Sequence, residues 1–215
     1  MISSLLNIFK VHDLRNKILF VIAMVVVYRF GVAIRVPGVD PIAIEQLRES
    51  AGQQGALGFL NLFSGGAFES FSIFALGIMP YITASIIMQV LGVVIPKLEE
   101  LQSEGAVGQR KITQYTRYLT IGLATLQATG LVFIFGTGRG TAFFSAASAA
   151  PTVPLLPDGV WPRGYLIIPT LVAGTAVLMW MAEMISQRGI GNGMSMIIFA
   201  SVVSSLPGGF WSILV

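Results

Sequence analysis

The stretch that decides the fold is residues 71–95, FSIFALGIMPYITASIIMQVLGVVI, 25 residues without one charged side chain. As a helix it would reach about 37 Å at about 1.5 Å per residue, more than the roughly 30 Å of a bilayer's hydrocarbon core. Only Gly77, Pro80, Gln89 and Gly92 interrupt its apolar character. The whole chain of 215 residues is of the same kind, 54% hydrophobic and 11% charged, with a mean hydropathy of +0.80. Soluble domains carry about a quarter charged residues, so this chain lacks the polar side chains to cover a water-facing globule. A soluble enzyme is excluded on that ground, and so is disorder, which requires low hydrophobicity and high charge. With no cysteine there is no disulfide framework, thiol catalysis or Cys-based metal site. The single histidine, His12, leaves His-based metal or triad chemistry without partners, and a net charge of +3 is too small to argue for nucleic acid. This is the composition of a membrane protein.

Working outward, residues 18–34 follow the basic Lys10, Arg15 and Lys17. They are long for a signal-peptide core, and Arg35-Val36-Pro37-Gly38 holds no small-residue cleavage site, so they read as a retained first span. Pro37, Gly38 and Pro41 close it with turn chemistry. Residues 118–135, 165–185 and 194–215 read as three further spans. Glu183 lies near the end of one of them, and Pro207, Gly208 and Gly209 soften the last. Between the second and third spans, residues 97–117 read as a long mixed-charge loop. With the N-terminus inside, inside segments hold Lys10, Arg15, Lys17, Lys97, Arg110, Lys111, Arg117 and Arg188. Outside segments hold only Arg35, Arg48, Arg139 and Arg163. That excess favours a cytoplasmic N-terminus and leaves Val215 on the outer side.

Two features do not fit plain spans. Residues 57–68, LGFLNLFSGGAF, are apolar but would make a helix of only about 18 Å. Such a segment is either interfacial or re-entrant, and a re-entrant one is tolerated only against protein or a water-filled cavity. Arg29, inside the first span, would cost about 2.5–3.5 kcal/mol at a helix centre. It lies near the outer end, so snorkelling to the interface is expected. The glycine-rich pieces 136–140 and 189–193 follow no strand and lack the phosphate-loop lysine, so neither reads as a nucleotide site. Glu99, Glu100, Glu104 and Glu183 read as solvated loop charges. Composition alone thus gives a five-span membrane protein with a broken second helix. A secondary transporter, in which broken helices line a midplane site, and a pore-less assembly subunit both remain open.

Particular residues say more. They include Tyr28-Arg29-Phe30-Gly31 with Val36-Pro37-Gly38-Val39-Asp40, Phe63-Ser64-Gly65-Gly66-Ala67, and Ser72 to Ile82 with Ala84-Ser85-Ile86-Ile87. Further on stand Glu104-Gly105, Gly108 to Tyr118, and Arg188-Gly189-Ile190-Gly191-Asn192-Gly193. Together these resemble the SecY family, channel subunits of the bacterial Sec protein translocase. The likeness covers nearly the whole chain except residues 136–163.

The resemblance implies an all-α polytopic membrane protein with five transmembrane helices plus a short re-entrant plug helix. Residues 1–215 would be the N-terminal half of an inverted-repeat, ten-helix channel. It implies no enzyme and no cofactor, metal or direct nucleic-acid site. The channel would pass unfolded polypeptides with signal sequences across the bacterial inner membrane and release apolar helices sideways into lipid. SecE and SecG would be its companions, and the SecA ATPase or a ribosome would drive it. Its plug would comprise Leu57, Phe59, Leu60, Asn61, Leu62, Phe63, Ser64 and Gly65. A pore ring would draw on Ile78, Ile82, Met194 and Ile198. Each of those pairs is spaced i,i+4 and so shares a helix face. Met194 stands where the family usually has isoleucine, which a flexible thioether tolerates. Ile198 lies only about 8 Å past Gly193, so the fifth helix must begin well inside the membrane. Pro80, Ser85 and Gln89 would lie in a lateral gate, with Gly77 and Pro80 bending its helix. Arg110, Lys111, Arg117 and Arg188 would face the motor or ribosome.

Overall fold

The computed structural model describes the backbone of residues 12–39, 44, 63–136 and 160–214. The described residues form helices joined by turns, with one isolated β-bridge. The helices are α1 (His12–Ala33), α2 (Met79–Val94), α3 (Pro96–Ser103), α4 (Ala106–Gly136), α5 (Val160–Arg188) and α6 (Gly193–Leu214). By length and composition α1, α4 and α5 can each cross a membrane, and α2 with α3 forms a further candidate bent by 101°. Within the described residues, α6 adds a shorter apolar helix, Gly193–Ser204.

Close approach between helices comes from small residues at regular spacing. Along α4, Thr116, Thr120, Ala124, Ala128 and Val132 recur every four residues and are all buried. This stripe lets α4 and α5 draw together without a large side chain between them, as apolar helices in lipid do. The threonine hydroxyls on the stripe donate within their own helix, Thr116 to Ile112 O at 2.9 Å and Thr120 to Thr116 O at 2.7 Å. Neither of these two hydroxyls needs a partner on the facing helix.

The helices alternate in direction. Val21 near the start of α1 lies beside Gly189 just past the end of α5. At the opposite end Arg163 donates to Gly38 O at 3.2 Å. One end of the bundle therefore carries Arg15, Lys17, Lys97, Arg110, Lys111 and Arg188. The other carries Arg35 and Arg163.

Three sequence expectations need correcting. The span read over residues 71–95 is helical only from Met79, and residues 71–78 form turns. Pro80 sits at the first positions of α2, where its missing N–H costs nothing, so it starts the helix instead of bending it. Gly77, at φ +60, turns the chain into that start. The loop read over residues 97–117 is instead a helical hairpin. α3 leaves α2 sharply at Ile95, Gly105 turns the chain at φ +71, and α4 begins at Ala106. A Cβ at Gly108 would fall 1.6 Å from Leu101 O, so that turn closes on glycine.

Glu183 is not a solvated loop charge. Its side chain is 10% exposed and accepts from Arg117 on both carboxylate oxygens, with Nε to Oε1 at 2.8 Å. Arg117 is half-exposed, so the pair bolts α4 to α5 at the edge of the apolar interior. Replacing Arg117 by Met should strand a nearly buried carboxylate and destabilise the purified protein by about 1–3 kcal/mol. Adding Glu183→Gln to that variant should recover most of the loss in thermal unfolding. Additive losses would show that the two side chains are not coupled.

Candidate functional site

The site is built on residues 63–78, which after the helical Phe63 and Ser64 lead into α2 through turns. Four positive-φ residues shape the path: Gly65 at +63, Gly66 at +87, Phe71 at +46 and Gly77 at +60. A positive φ at phenylalanine is strained for an L side chain, and here the surroundings impose it. Phe71 is buried, its carbonyl accepts from Val36 N at 3.0 Å, and Ile73 N donates to Ile34 O at 3.0 Å. These two bonds make the bridge between Arg35 and Ser72 that ties the turn segment to the chain leaving α1.

Side chains from this segment feed both apolar clusters of the molecule. Phe68, Phe71 and Ala75 pack with Val36, Ala128, Val132, Ile167 and Leu171. Ala67, Phe74 and Ile78 pack with Tyr28, Leu178, Met181, Ile185 and Ile197. Backbone contact is closest at Gly174 of α5, where a Cβ would fall 2.0 Å from Ile73 O. On α1, Gly31 gives way to the Phe74 ring, which stacks on Tyr28 with centroids 5.9 Å apart.

The residues expected in the pore ring converge. Ile78 caps α2 and is buried, while Ile82, Met194 and Ile198 are half-buried and pack against the same cluster. Their meeting depends on where α6 starts. Gly193 lies against Ala182 of α5, at 1.9 Å from its carbonyl for an added Cβ. Ala182 is six residues before Arg188, so α6 begins about 9 Å short of the end of α5. The sequence Gln187 to Gly193 makes that inset possible. Gly191 turns at φ +74, Ser186 Oγ accepts from Gly193 N at 2.8 Å, and Asn192 Oδ1 caps α6 by accepting from Met194 N at 3.0 Å.

Other expected positions are spread out. Pro80 is buried, Ser85 is half-buried and Gln89 is exposed, its amide donating to Ser85 Oγ at 3.5 Å. Arg110 and Arg188 are exposed, and Lys111 lies 3.8 Å from Glu104. Arg117 is the one expected docking residue whose guanidinium is taken up inside the chain, by Glu183. Of the expected plug, Phe63, Ser64 and Gly65 fall in the turn segment. Leu57, Phe59, Leu60, Asn61 and Leu62 lie outside the described residues. Among the described residues no three His, Asp or Glu side chains gather as metal ligands would.

Sequence reasoning missed a polar knot at the centre. Tyr28 Oη donates to Ser64 O at 2.8 Å and lies 2.7 Å from Ser201 Oγ. Arg29 stays exposed while its guanidinium is bonded within the chain. It donates to Gly65 O at 3.2 Å and to Ser204 O at 3.3 Å. A tyrosine followed by arginine in an otherwise apolar span was the available signal, because buried polar groups must find partners.

Comparison with known proteins gives one consistent result. The SecY family model matches residues 72–215. The protein translocase subunit SecY of Streptomyces galbus is 49% identical over 214 residues, covering 99% of this chain and 48% of that protein. Its counterpart in Streptomyces coelicolor is 48% identical over 214 residues, with the same coverage. That of Mycobacterium tuberculosis is 44% identical over 217 residues, covering 100% of this chain and 48% of that protein. The chain spans about half the length of the curated relatives it matches.

The inset of α6 can be tested with thiols, since the chain has no cysteine of its own. Cysteines introduced at Ile82 and Ile198 should be joined by a short bifunctional thiol reagent in the membrane. Gly193→Val should weaken that cross-link severalfold by pushing α6 away from Ala182. Equal cross-linking with and without Gly193→Val would show that the close approach does not set the register of α6.

Proposed function

The chain belongs to the SecY family, and from that premise we propose that it forms one half of the wall of a polypeptide-conducting channel. Unfolded secretory chains cross through it, and apolar helices leave it sideways into lipid. The observation that carries this reading is the convergence of Ile78, Ile82, Met194 and Ile198 on one apolar cluster beside a buried, non-helical segment. A ring of apolar, deformable side chains makes no hydrogen bonds to a passing chain, so it can close around any sequence without holding it. Residues 57–68 act as the plug over this ring. Apolar contact seats them weakly enough that an inserting chain displaces them.

In this reading α2 is the movable wall of a lateral gate. Its outer flank is apolar and uncovered at Ile86, Val90, Val93 and Val94, as suits a surface that meets lipid, a signal sequence or the other half of the channel. The end of the bundle rich in Arg and Lys faces the cytoplasm, following the bias of positive charge to that side. There Arg110, Lys111 and Arg188 offer exposed cations to SecA or a ribosome, while Arg117 holds α4 in place for them. SecE and SecG complete the complex. The membrane is the bacterial inner membrane.

Removing residues 57–68 from the complete channel should leave the complex assembled while raising its closed-state ion conductance and admitting precursors with defective signal sequences. Unchanged conductance and unchanged stringency would make the segment an interfacial helix. For orientation, a cysteine at Arg110 should react with an impermeant maleimide in inverted vesicles, and one at Arg163 should not. The reverse pattern would invert the topology.

A further inference from the structure

Tyr28 and Arg29 are adjacent on α1, and each reaches two acceptors on two different elements. For Tyr28 these are Ser64 O in the turn segment and Ser201 Oγ on α6. For Arg29 they are Gly65 O in the turn segment and Ser204 O on α6. The turn segment therefore shares both of its α1 donors with α6.

Counting protons shows what the sharing permits. Tyr28 and Ser201 carry one hydroxyl proton each. Among the contacts between described residues, three draw on these two protons: Tyr28 to Ser64 O at 2.8 Å, the Tyr28–Ser201 pair at 2.7 Å, and Ser201 to Ile197 O at 2.9 Å. In one arrangement Ser201 donates to Tyr28 and Tyr28 donates to Ser64 O. In the other, Tyr28 donates to Ser201 and Ser201 donates to Ile197 O. Both arrangements use both protons. When Tyr28 turns away, Ser64 O still accepts from Ala67 N at 3.3 Å. Arg29 can likewise give up Gly65 O and keep Ser204 O.

We propose that Tyr28 and Arg29 are positioning residues for the plug, a polar latch that hands its hydrogen bonds from the Ser64–Gly65 hinge to α6 when the plug leaves. The inference rests on the plug reading given above. It adds the reason why a buried polar contact can be broken repeatedly inside an apolar wall. For the buried Tyr28 stranding the donor is the costly outcome, and Ser201 on α6 prevents it, while the exposed Arg29 keeps Ser204 O. Because the latch grips backbone carbonyls, it acts whatever side chains the plug carries. The ring of Tyr28 also stacks on Phe74, so its hydroxyl has little freedom except to choose between Ser64 and Ser201.

The test is a pair of variants in the complete, reconstituted translocase. Tyr28→Phe keeps the stack on Phe74 and removes the hydroxyl from both arrangements, leaving Ser201 to donate to Ile197 O in each. Closed-channel opening in planar bilayers should therefore stay close to that of the parent. Ser201→Ala removes the fallback acceptor, so leaving becomes harder than staying. It should lower opening roughly twofold to tenfold, the range expected for one hydrogen bond, and tighten rejection of weak signal sequences. A merely structural knot would make both variants leak. A rise in opening with either variant, no change with Ser201→Ala, or failure of Tyr28→Phe to assemble would each overturn the latch. If deletion of residues 57–68 raises conductance while the two variants do not diverge, the plug stands and the latch falls. If the deletion changes nothing, both fall.

Discussion

Everything in this molecule is arranged around one constraint: a stretch of turns with one β-bridge, residues 65–78, runs through an apolar interior. A helix in lipid satisfies its own backbone, whereas an irregular stretch must borrow partners, and each failure costs several kcal/mol. The borrowing is visible residue by residue. Local turns pair Ala67 N with Ser64 O, Ser72 N with Ala67 O and Ala75 N with Ser72 O. The chain leaving α1 pairs with Phe71 and Ile73. Ser64 Oγ accepts from Phe68 N at 3.1 Å, and Tyr28 and Arg29 serve the carbonyls of Ser64 and Gly65. The glycines at 31 and 174 are what admit the segment at all, since any side chain there would occupy the place of Phe74 or of Ile73 O.

A second arrangement depends on the first. With residues 71–78 spent on turns, α2 has only 16 residues and begins deep in the bundle, not at its edge. The five-residue stripe on α4 and the Arg117–Glu183 pair fix α4 to α5 as a stiff unit, and α6 starts low against α5 through Gly193. The first turns of α2 and α6 thereby pack against one apolar cluster through Ile82, Met194 and Ile198. Helix starts bring small, sharply turned backbone and leave the neighbouring side chains pointing into shared space. That is how Ile82 and Ile198 come to lie against one cluster although each belongs to a different, late-starting helix.

Much of this was legible in the sequence. The apolar helices α1, α4 and α5 and the all-helical class were readable from apolar run lengths. The inset of α6 was required by the spacing of Ile198 from Gly193. What misled was local chemistry with two meanings. Gly77 and Pro80 look alike in a bent helix and at a helix start, and the uncharged run before them concealed the difference. The loop over residues 97–117 was read from its charge, but charged residues on an exposed helix face serve equally well, as Arg110 and Lys111 do. Glu183 and Arg117 lie 66 positions apart. No periodicity connects them, and only the antiparallel packing of α4 on α5 brings them together. Tyr28 was quoted within a motif, yet its partners at Ser64 and Ser201 belong to elements whose meeting no local pattern announces.

The interior thus mixes two kinds of cohesion with different tolerance for motion. Apolar contact is non-directional, so Ile78, Phe74 and Ile197 can slide past one another at little cost while they remain covered. Hydrogen bonds to a carbonyl are directional, and in a dry interior a bond once broken must be replaced. A wall built only of the first kind would not hold a fixed closed state. A wall built only of the second could not open. Around α4 and α5 the contacts are close, small-residue and ion-paired, which favours rigidity. At the junction of α1, the turn segment and α6, directional bonds come with alternatives on both donors. In the latch proposed above, the capacity to move is concentrated where Tyr28 and Arg29 have somewhere else to bond.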